Sequence, residues 1–391
     1  MRSNRQDSPI RKRRKGMKKR KKRMLIALGT FVALVLLAVI VLRNTAFKTM
    51  PELQGEPQVG KWYRITPAEA KSSDGSEWHG LLRLGSEDKV IVYFFGGGAC
   101  LDEYTAAHPK NLYAVNVKNQ DTLAEGGIGS SNKDNPFRDW TIIVLPYGTG
   151  DFHTGTGEFP YTDTEGNPRI LYHNGYKNYR LFMEEALRYI DEPDTLLVTG
   201  FSAGGFAASL LADDVIDYFP EAENITVAVD SSLLLYDRWQ ECAMGNWHVP
   251  EEISSRLTGN NIVLDSLAAL HEKRGNAVKI LFDCSVRDGE LAAYQAYIRD
   301  GERTVASENG DLFEADLKAM VSGLQENIQG VGIFIWDGLP YNPFNKKLDL
   351  TQHTILSTSF TKDLSGDVSI ADWICNAVEG NVESYGLELL R

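Results

Sequence analysis

Short runs of apolar β-formers recur along this chain at Lys89–Phe95, Trp140–Leu145, Leu196–Val198, Ile225–Asp230, Val278–Asp283 and Val331–Trp336. They are apolar throughout rather than alternating, as strands buried on both faces must be. Between them lie helical stretches. Tyr176 to Ile190 places Tyr179, Phe182, Ala186 and Ile190 on one stripe, and Phe206–Ala212, Glu290–Ile298 and Ala371–Val378 follow as further helices. At least five strands alternating with helices predict a doubly wound, mostly parallel sheet. Lys61–Ile65 and Gly80–Leu84 are expected as an early hairpin or edge strands. The polar stretches 101–139 and 232–275 read as cap insertions at strand ends, and Trp239 and Trp247 fill the core of the second cap.

The N-terminus has a different pattern. Residues 1–23 hold thirteen Lys/Arg and one acid, Asp7, and residues 24–42 are an unbroken apolar run. Nineteen residues at about 1.5 Å each span roughly 28 Å, close to a bilayer's hydrocarbon core. The basic segment is expected to stay cytoplasmic and to leave the rest of the chain outside the cell membrane. A cleaved signal peptide is the competing reading, but Arg43-Asn-Thr-Ala-Phe-Lys48 is a poor cleavage site. The predicted organisation is therefore a basic tail (1–23), a membrane anchor (24–42), a linker (43–60) and one α/β domain (61–391).

Charge sharpens this division. The whole chain carries −12, of which the tail contributes +12, so the remainder carries about −24. A nucleic-acid partner for so acidic a domain is excluded. The four cysteines, Cys100, Cys242, Cys284 and Cys375, show no metal-ligand spacing. They read equally well as two disulfides or as buried thiols. No metal or organic cofactor is expected.

The chemistry centres on Thr195-Leu-Leu-Val-Thr-Gly-Phe-Ser-Ala-Gly-Gly-Phe206. A strand, a sharp G-x-S-x-G turn and a helix form the context of a nucleophile elbow. Ser202 would project from the strained turn. Gly200 and Gly204 stand where side chains would collide, and the helix N-terminus faces a developing oxyanion. Gly96-Gly-Gly-Ala-Cys100 follows a central strand, so the amides of Gly97 or Gly98, with that of Ala203, are candidate oxyanion donors. The loop Pro146-Tyr-Gly-Thr-Gly-Asp-Phe-His-Thr-Gly155 also leaves a strand's C-terminal end, which makes Tyr147 and His153 candidate substrate contacts.

The serine needs a base and the base a carboxylate. Of the histidines after Ser202, His271 lies on a charged helix and His248 in the cap, whereas His353 follows the last strand, where the base belongs. The acid is expected after the preceding strand. Asp288 fits best, Asp283 is the alternative, Asp230 is a weaker candidate, and Asp337 lies too close to the final strand.

With these residues in place the chain resembles the pectin acetylesterase family, which includes the Notum carboxylesterases. The resemblance rests on Phe95-Gly-Gly-Gly-Ala-Cys100, Pro146-Tyr147 with Gly150 and Gly155, Gly200-Phe-Ser-Ala-Gly-Gly205, Asp288-Gly-Glu-Leu-Ala-Ala-Tyr-Gln295 and His353. It implies an α/β-hydrolase-like fold, a Ser202–His353–Asp288 triad and hydrolysis of carboxylic esters. The chain departs from the family at Ala99, where Trp is usual, and at Gly148, where Cys is usual. The expected substrate is an O-acylated molecule, with O-acetyl groups of a polysaccharide foremost. A lipid-type acyl esterase, a peptidase on the same machinery and a catalytically inactive binding protein are the alternatives.

Overall fold

The computed structural model describes residues 48–390. The basic tail and the expected anchor at 24–42 lie outside the described residues. Among the described residues no helix is long and apolar enough to cross a membrane.

Ten strands matter for the site: β1 (Trp62–Ile65), β2 (Gly80–Arg83), β3 (Lys89–Phe94), β4 (Thr141–Leu145), β5 (Gly157–Thr162), β6 (Pro168–His173), β7 (Thr195–Phe201), β8 (Asn224–Asp230), β9 (Val278–Ser285) and β10 (Gly332–Trp336). Eight of them form one sheet in the order β1-β2-β4-β3-β7-β8-β9-β10. The six from β4 to β10 in that order run parallel, while β1 and β2 are antiparallel at one edge. This is the mixed, mostly parallel α/β sheet that the apolar runs predict, with the expected edge hairpin.

Every residue of β7 and nearly every residue of β8 and β9 is buried, so both sheet faces are covered. Helix α1 (Ala203–Ile216) packs on β3, β7 and β8, and α2 (Ile370–Val378) packs on β8 and β9. Trp373 of α2 lies 5.4 Å from Phe334 of β10, centroid to centroid. The order of the strands creates the site. From β3 the chain moves outward to β4, then returns to place β7 on the other side of β3. The loops after β3 and β7 therefore diverge and open a crevice at the C-terminal ends of those two strands.

Two elements are absent from the sequence expectation. The β5–β6 hairpin has charged or polar residues at many positions and half of it is exposed, so it carries no buried-strand signal. The helix Ser307–Asn327 buries Phe313, Leu317, Met320, Val321 and Leu324, an apolar stripe at helical spacing that lies outside the helices expected above. The stretch before β1 is also more integrated than a linker. Met50 is buried, and Leu53 N–H donates to Arg64 O at 2.9 Å. All four cysteines are free thiols, with Cys100, Cys242 and Cys284 buried.

Trp373→Ala removes a side chain that is 1% exposed and is expected to cost about 3–5 kcal/mol. Phe344→Ala, at a ring 98% exposed, is expected to stay within about 0.5 kcal/mol. Urea unfolding of the two variants checks both figures.

Candidate active site

The elbow is strained as its sequence predicts. Ser202 sits between β7 and α1 with φ 54° and ψ −128°, a conformation that costs a non-glycine residue about 1–3 kcal/mol. Its N–H donates to Asp230 O at 2.9 Å, and its carbonyl accepts from Ser232 Oγ at 2.7 Å. The flanking glycines are steric necessities. A Cβ on Gly200 would lie 2.1 Å from Gly204 O, and one on Gly204 would lie 2.0 Å from Phe94 O. The turn is thus pressed against the end of β3. Ser202 Oγ makes no hydrogen bond among the described residues and opens onto a cavity of about 350 Å³.

Across that cavity runs the glycine loop after β3. Gly98 has φ +78°, and a Cβ there would lie 1.9 Å from Leu112 O. The loop is fixed by Ala99 N–H to Leu112 O at 3.2 Å and Ala114 N–H to Gly97 O at 2.7 Å. Gly97, Gly98 and Ala203 all border the cavity. None of their amides finds an acceptor among the described residues. Amides held in place with no partner are what an oxyanion requires.

His353 completes the constellation. Its Nδ1 lies 2.7 Å from Asp288 Oδ2, and the Asp288 side chain is wholly buried. Asp288 Oδ1 caps the following helix (Gly289–Asp300) by accepting from Glu290 N and Leu291 N, each at 3.0 Å. Both oxygens of one carboxylate are thereby committed, one to a helix and one to the imidazole. Burial opposes charge on the His353 ring, but the Asp288 charge and hydrogen bond outweigh it and hold the imidazole above its ordinary pKa of 6.5. His353 lines the same cavity as Ser202. No hydrogen bond joins them. Such contacts often tighten only when substrate binds.

The pectinacetylesterase family model matches residues 66–242. That is the family the motifs resemble, and the match takes in the glycine loop and the elbow. Two crystal forms of the Wnt deacylase Notum from Drosophila have the same fold, each with a TM-score of 0.57. They are 18% and 17% identical to this chain, and cover 81% of it and 93% and 92% of their own length.

The two departures from the family pattern have local consequences. Ala99 is buried at the cavity wall, and its carbonyl accepts from Tyr294 Oη at 2.5 Å. At Gly148 any Cβ would lie 2.7 Å from the Asn116 backbone, so the turn holds no larger residue unless that segment shifts.

Tyr147 and His153 are not at the cavity. Tyr147 is fully buried behind Gly97, whose Cβ position is 2.7 Å from its ring, and its hydroxyl accepts from Phe152 N at 3.1 Å. His153 is 2% exposed and its Nε2 lies 3.0 Å from Phe95 O. Burial pushes its pKa down to about 4, so it is a neutral donor to that carbonyl. Neither residue reaches the cavity at which substrate contacts were expected; both pack beneath the glycine loop. The physical reason is the loop's own packing, which turns both rings inward. Asp337 is exposed, and Asp230 and Asp283 are buried behind the site rather than in it.

The cavity wall contains residues that sequence reasoning did not single out: Tyr113, Phe152, Phe206, Leu234, Leu291 and Tyr294. Leu291 and Tyr294 share a face of the helix that Asp288 caps. Both stand in the Asp288–Gln295 stretch that carries the family resemblance, and that stretch is the signal that could have found them. Trp239 and Trp247 pack with Phe152 beneath the wall, at centroid distances of 5.5 and 5.3 Å. Among the described residues no group of three His, Cys, Asp or Glu side chains is arranged to hold a metal ion.

Two outcomes test this geometry. Gly204→Ala should destabilise the chain by about 1–3 kcal/mol, because the methyl has nowhere to go. Chemical denaturation measures it. In an NMR titration His353 should titrate above 6.5. In Asp288→Asn, which removes the charge, it should move downward.

Proposed function

We propose that this protein is a serine carboxylesterase that removes O-acyl groups, with Ser202 as nucleophile, His353 as general base and Asp288 as the carboxylate that orients the base. One observation carries the reading. A strained, unencumbered serine, a carboxylate-bound histidine and three unpartnered amides open onto a single cavity. The pectinacetylesterase match over the segment holding the serine and the amides supports it.

The reaction follows from these positions. Ser202 Oγ attacks the ester carbonyl while His353 Nε2 takes its proton. The amides of Gly97 or Gly98 and of Ala203 stabilise the oxyanion, and Asp288 stabilises the imidazolium. His353 then protonates the leaving alcohol. Water repeats the sequence and frees the acid. The raised pKa of His353 sets the acid limb. The base is neutral only above that pKa, so activity rises with pH through it.

O-acetyl groups of a polysaccharide are the first substrate reading, by likeness to the family. The cavity favours a second. About 350 Å³ walled by Leu112, Phe152, Phe206, Leu234 and Leu291 exceeds what an acetyl group fills. Each buried methylene contributes about 0.8 kcal/mol, or roughly fourfold in kcat/KM. An anchor at residues 24–42, with the esterase domain on the extracellular side, belongs to the proposal and rests on sequence pattern alone.

The test is hydrolysis of p-nitrophenyl acetate, butyrate and octanoate by the protein and by Ser202→Ala. Turnover that Ser202→Ala abolishes supports the esterase. Preference for acetate selects the acetylesterase reading and preference for octanoate the lipid-type one. Equal, negligible rates in both proteins would reject the proposal and favour a binding protein. Asp288→Asn should lower kcat by about 10²–10⁴ and move the acid limb to lower pH.

A further inference from the structure

Asp230 and Asp283 are partners in register on adjacent strands β8 and β9. Their side chains are 0% and 1% exposed, and they face one another immediately behind the candidate site. Asp230 Oδ2 accepts from Ile355 N at 2.8 Å and from Leu356 N at 2.9 Å. The neighbouring Ser231 Oγ accepts from Thr354 N at 3.3 Å. Three consecutive amides after His353 are therefore held by two consecutive residues of one strand end. The same Asp230 holds the nucleophile, since its backbone carbonyl accepts from Ser202 N at 2.9 Å.

The remaining oxygens are the telling ones. Asp230 Oδ1 and Asp283 Oδ2 are buried without a partner if both groups are ionised. Asp283 Oδ1 has only a long hydrogen bond from Trp336 Nε1, at 3.4 Å. Among the described residues no Lys or Arg faces the pair. The groups around it are His353, Tyr93, Cys284 and Ser231, with Asp288 beyond Cys284. Two bare carboxylates in such a place would repel at short range in a medium of low dielectric. One proton between them satisfies both orphan oxygens at once.

We propose that Asp230 is a positioning residue for His353, and that it is held in its double hydrogen bond by a proton shared with Asp283. This inference rests on the esterase reading for its kinetic consequences but not for its structural ones. The division of labour is specific. Asp230 stays the acceptor for the histidine loop, and Asp283 is the neutral donor that keeps Asp230 aimed at it. Burial, and then the Asp230 charge, push the Asp283 carboxyl well above its ordinary value. Folding thus takes up a proton as the pH rises above about 3.8. Native stability declines with pH across that window until the native pair ionises. When the shared proton leaves at alkaline pH, repulsion turns the Asp230 carboxylate and frees the loop, so activity falls there while the decline in stability levels off.

The experiment uses the full-length protein. At pH 7 its infrared spectrum should show the carbonyl stretch of a protonated carboxyl, and Asp283→Asn should lose that band while keeping a donor to Asp230. Thermal unfolding of Asp283→Asn should decline less with pH than that of the wild type. Asp230→Ala should expose the amides of Ile355 and Leu356 to faster hydrogen exchange. It should also lower kcat by about 10²-fold with KM little changed, the scale of a small misplacement of a catalytic group. Asp230→Asn keeps the acceptor and should recover most of that loss. A wild-type spectrum without the band, or unchanged exchange and kcat in Asp230→Ala, overturns the inference. If Asp230→Ala does not fold, an equal decline of thermal stability with pH in Asp283→Asn and wild type overturns it. A wild type inactive on every ester, yet with the band and the protected amides, would sink the esterase reading and leave the pair supported.

Discussion

A serine backbone held at φ 54° is the constraint around which this molecule is built. The conformation is unfavourable in itself, and it survives because its surroundings permit little else. Gly200 and Gly204 let the turn close against the carbonyl end of β3, where any side chain would overlap backbone. Asp230 O and Ser232 Oγ then fix the serine's N–H and carbonyl from the neighbouring strand. The strain places Oγ above the sheet, free of internal hydrogen bonds, where a ligand reaches it.

Everything else in the site is delivered by the sheet to that point. The glycine loop comes from β3 and the elbow from β7, adjacent strands whose connections leave in opposite directions. Asp288 and His353 come from the loops after β9 and β10, and these loops are sewn together. Thr351 N–H donates to Arg287 O at 3.0 Å, Gly289 N–H donates to Thr351 O at 3.0 Å, and Ser285 Oγ donates to Gln352 O at 2.7 Å. The histidine is therefore gripped on its N-terminal side by the acid's loop and on its C-terminal side by Asp230 and Ser231. The result is an imidazole whose orientation is fixed by backbone contacts on both flanks and by a buried carboxylate at Nδ1.

The polar and apolar parts of the site are kept apart. Charge lies at the His353–Asp288 side and at Glu290, on the helix that Asp288 caps. Much of the remaining wall is aromatic and aliphatic, from Leu112 and Tyr113 beside the glycine loop, from Phe152, Phe206 and Leu234, and from Leu291 and Tyr294 on the helix that Asp288 caps. Beneath that wall the 146–155 loop packs as a second core, with neutral His153 and buried Tyr147 bracing the glycine loop. A loop leaving a strand at the ligand end of the sheet is a natural place to look for substrate contacts. Here its side chains turn inward because the loop above them is nearly bare glycine and offers no packing of its own.

Much of this was legible in the residues alone. The buried strands announced themselves because a strand covered on both faces must be apolar at every position. The elbow was legible because only glycine fits two residues either side of such a serine. His353 and Asp288 were indicated by chain order after the last two strands. Tertiary structure decided what depends on contacts between distant segments. It turned Tyr147 and His153 into supports, and set Asp230 and Asp283 face to face behind the site. It also chose the cavity wall from Tyr113, Phe152, Leu234 and Tyr294, which come from four separate segments. Local pattern reports which face of an element is apolar. It carries no record of which other element meets that face, and a cavity is made only by such meetings.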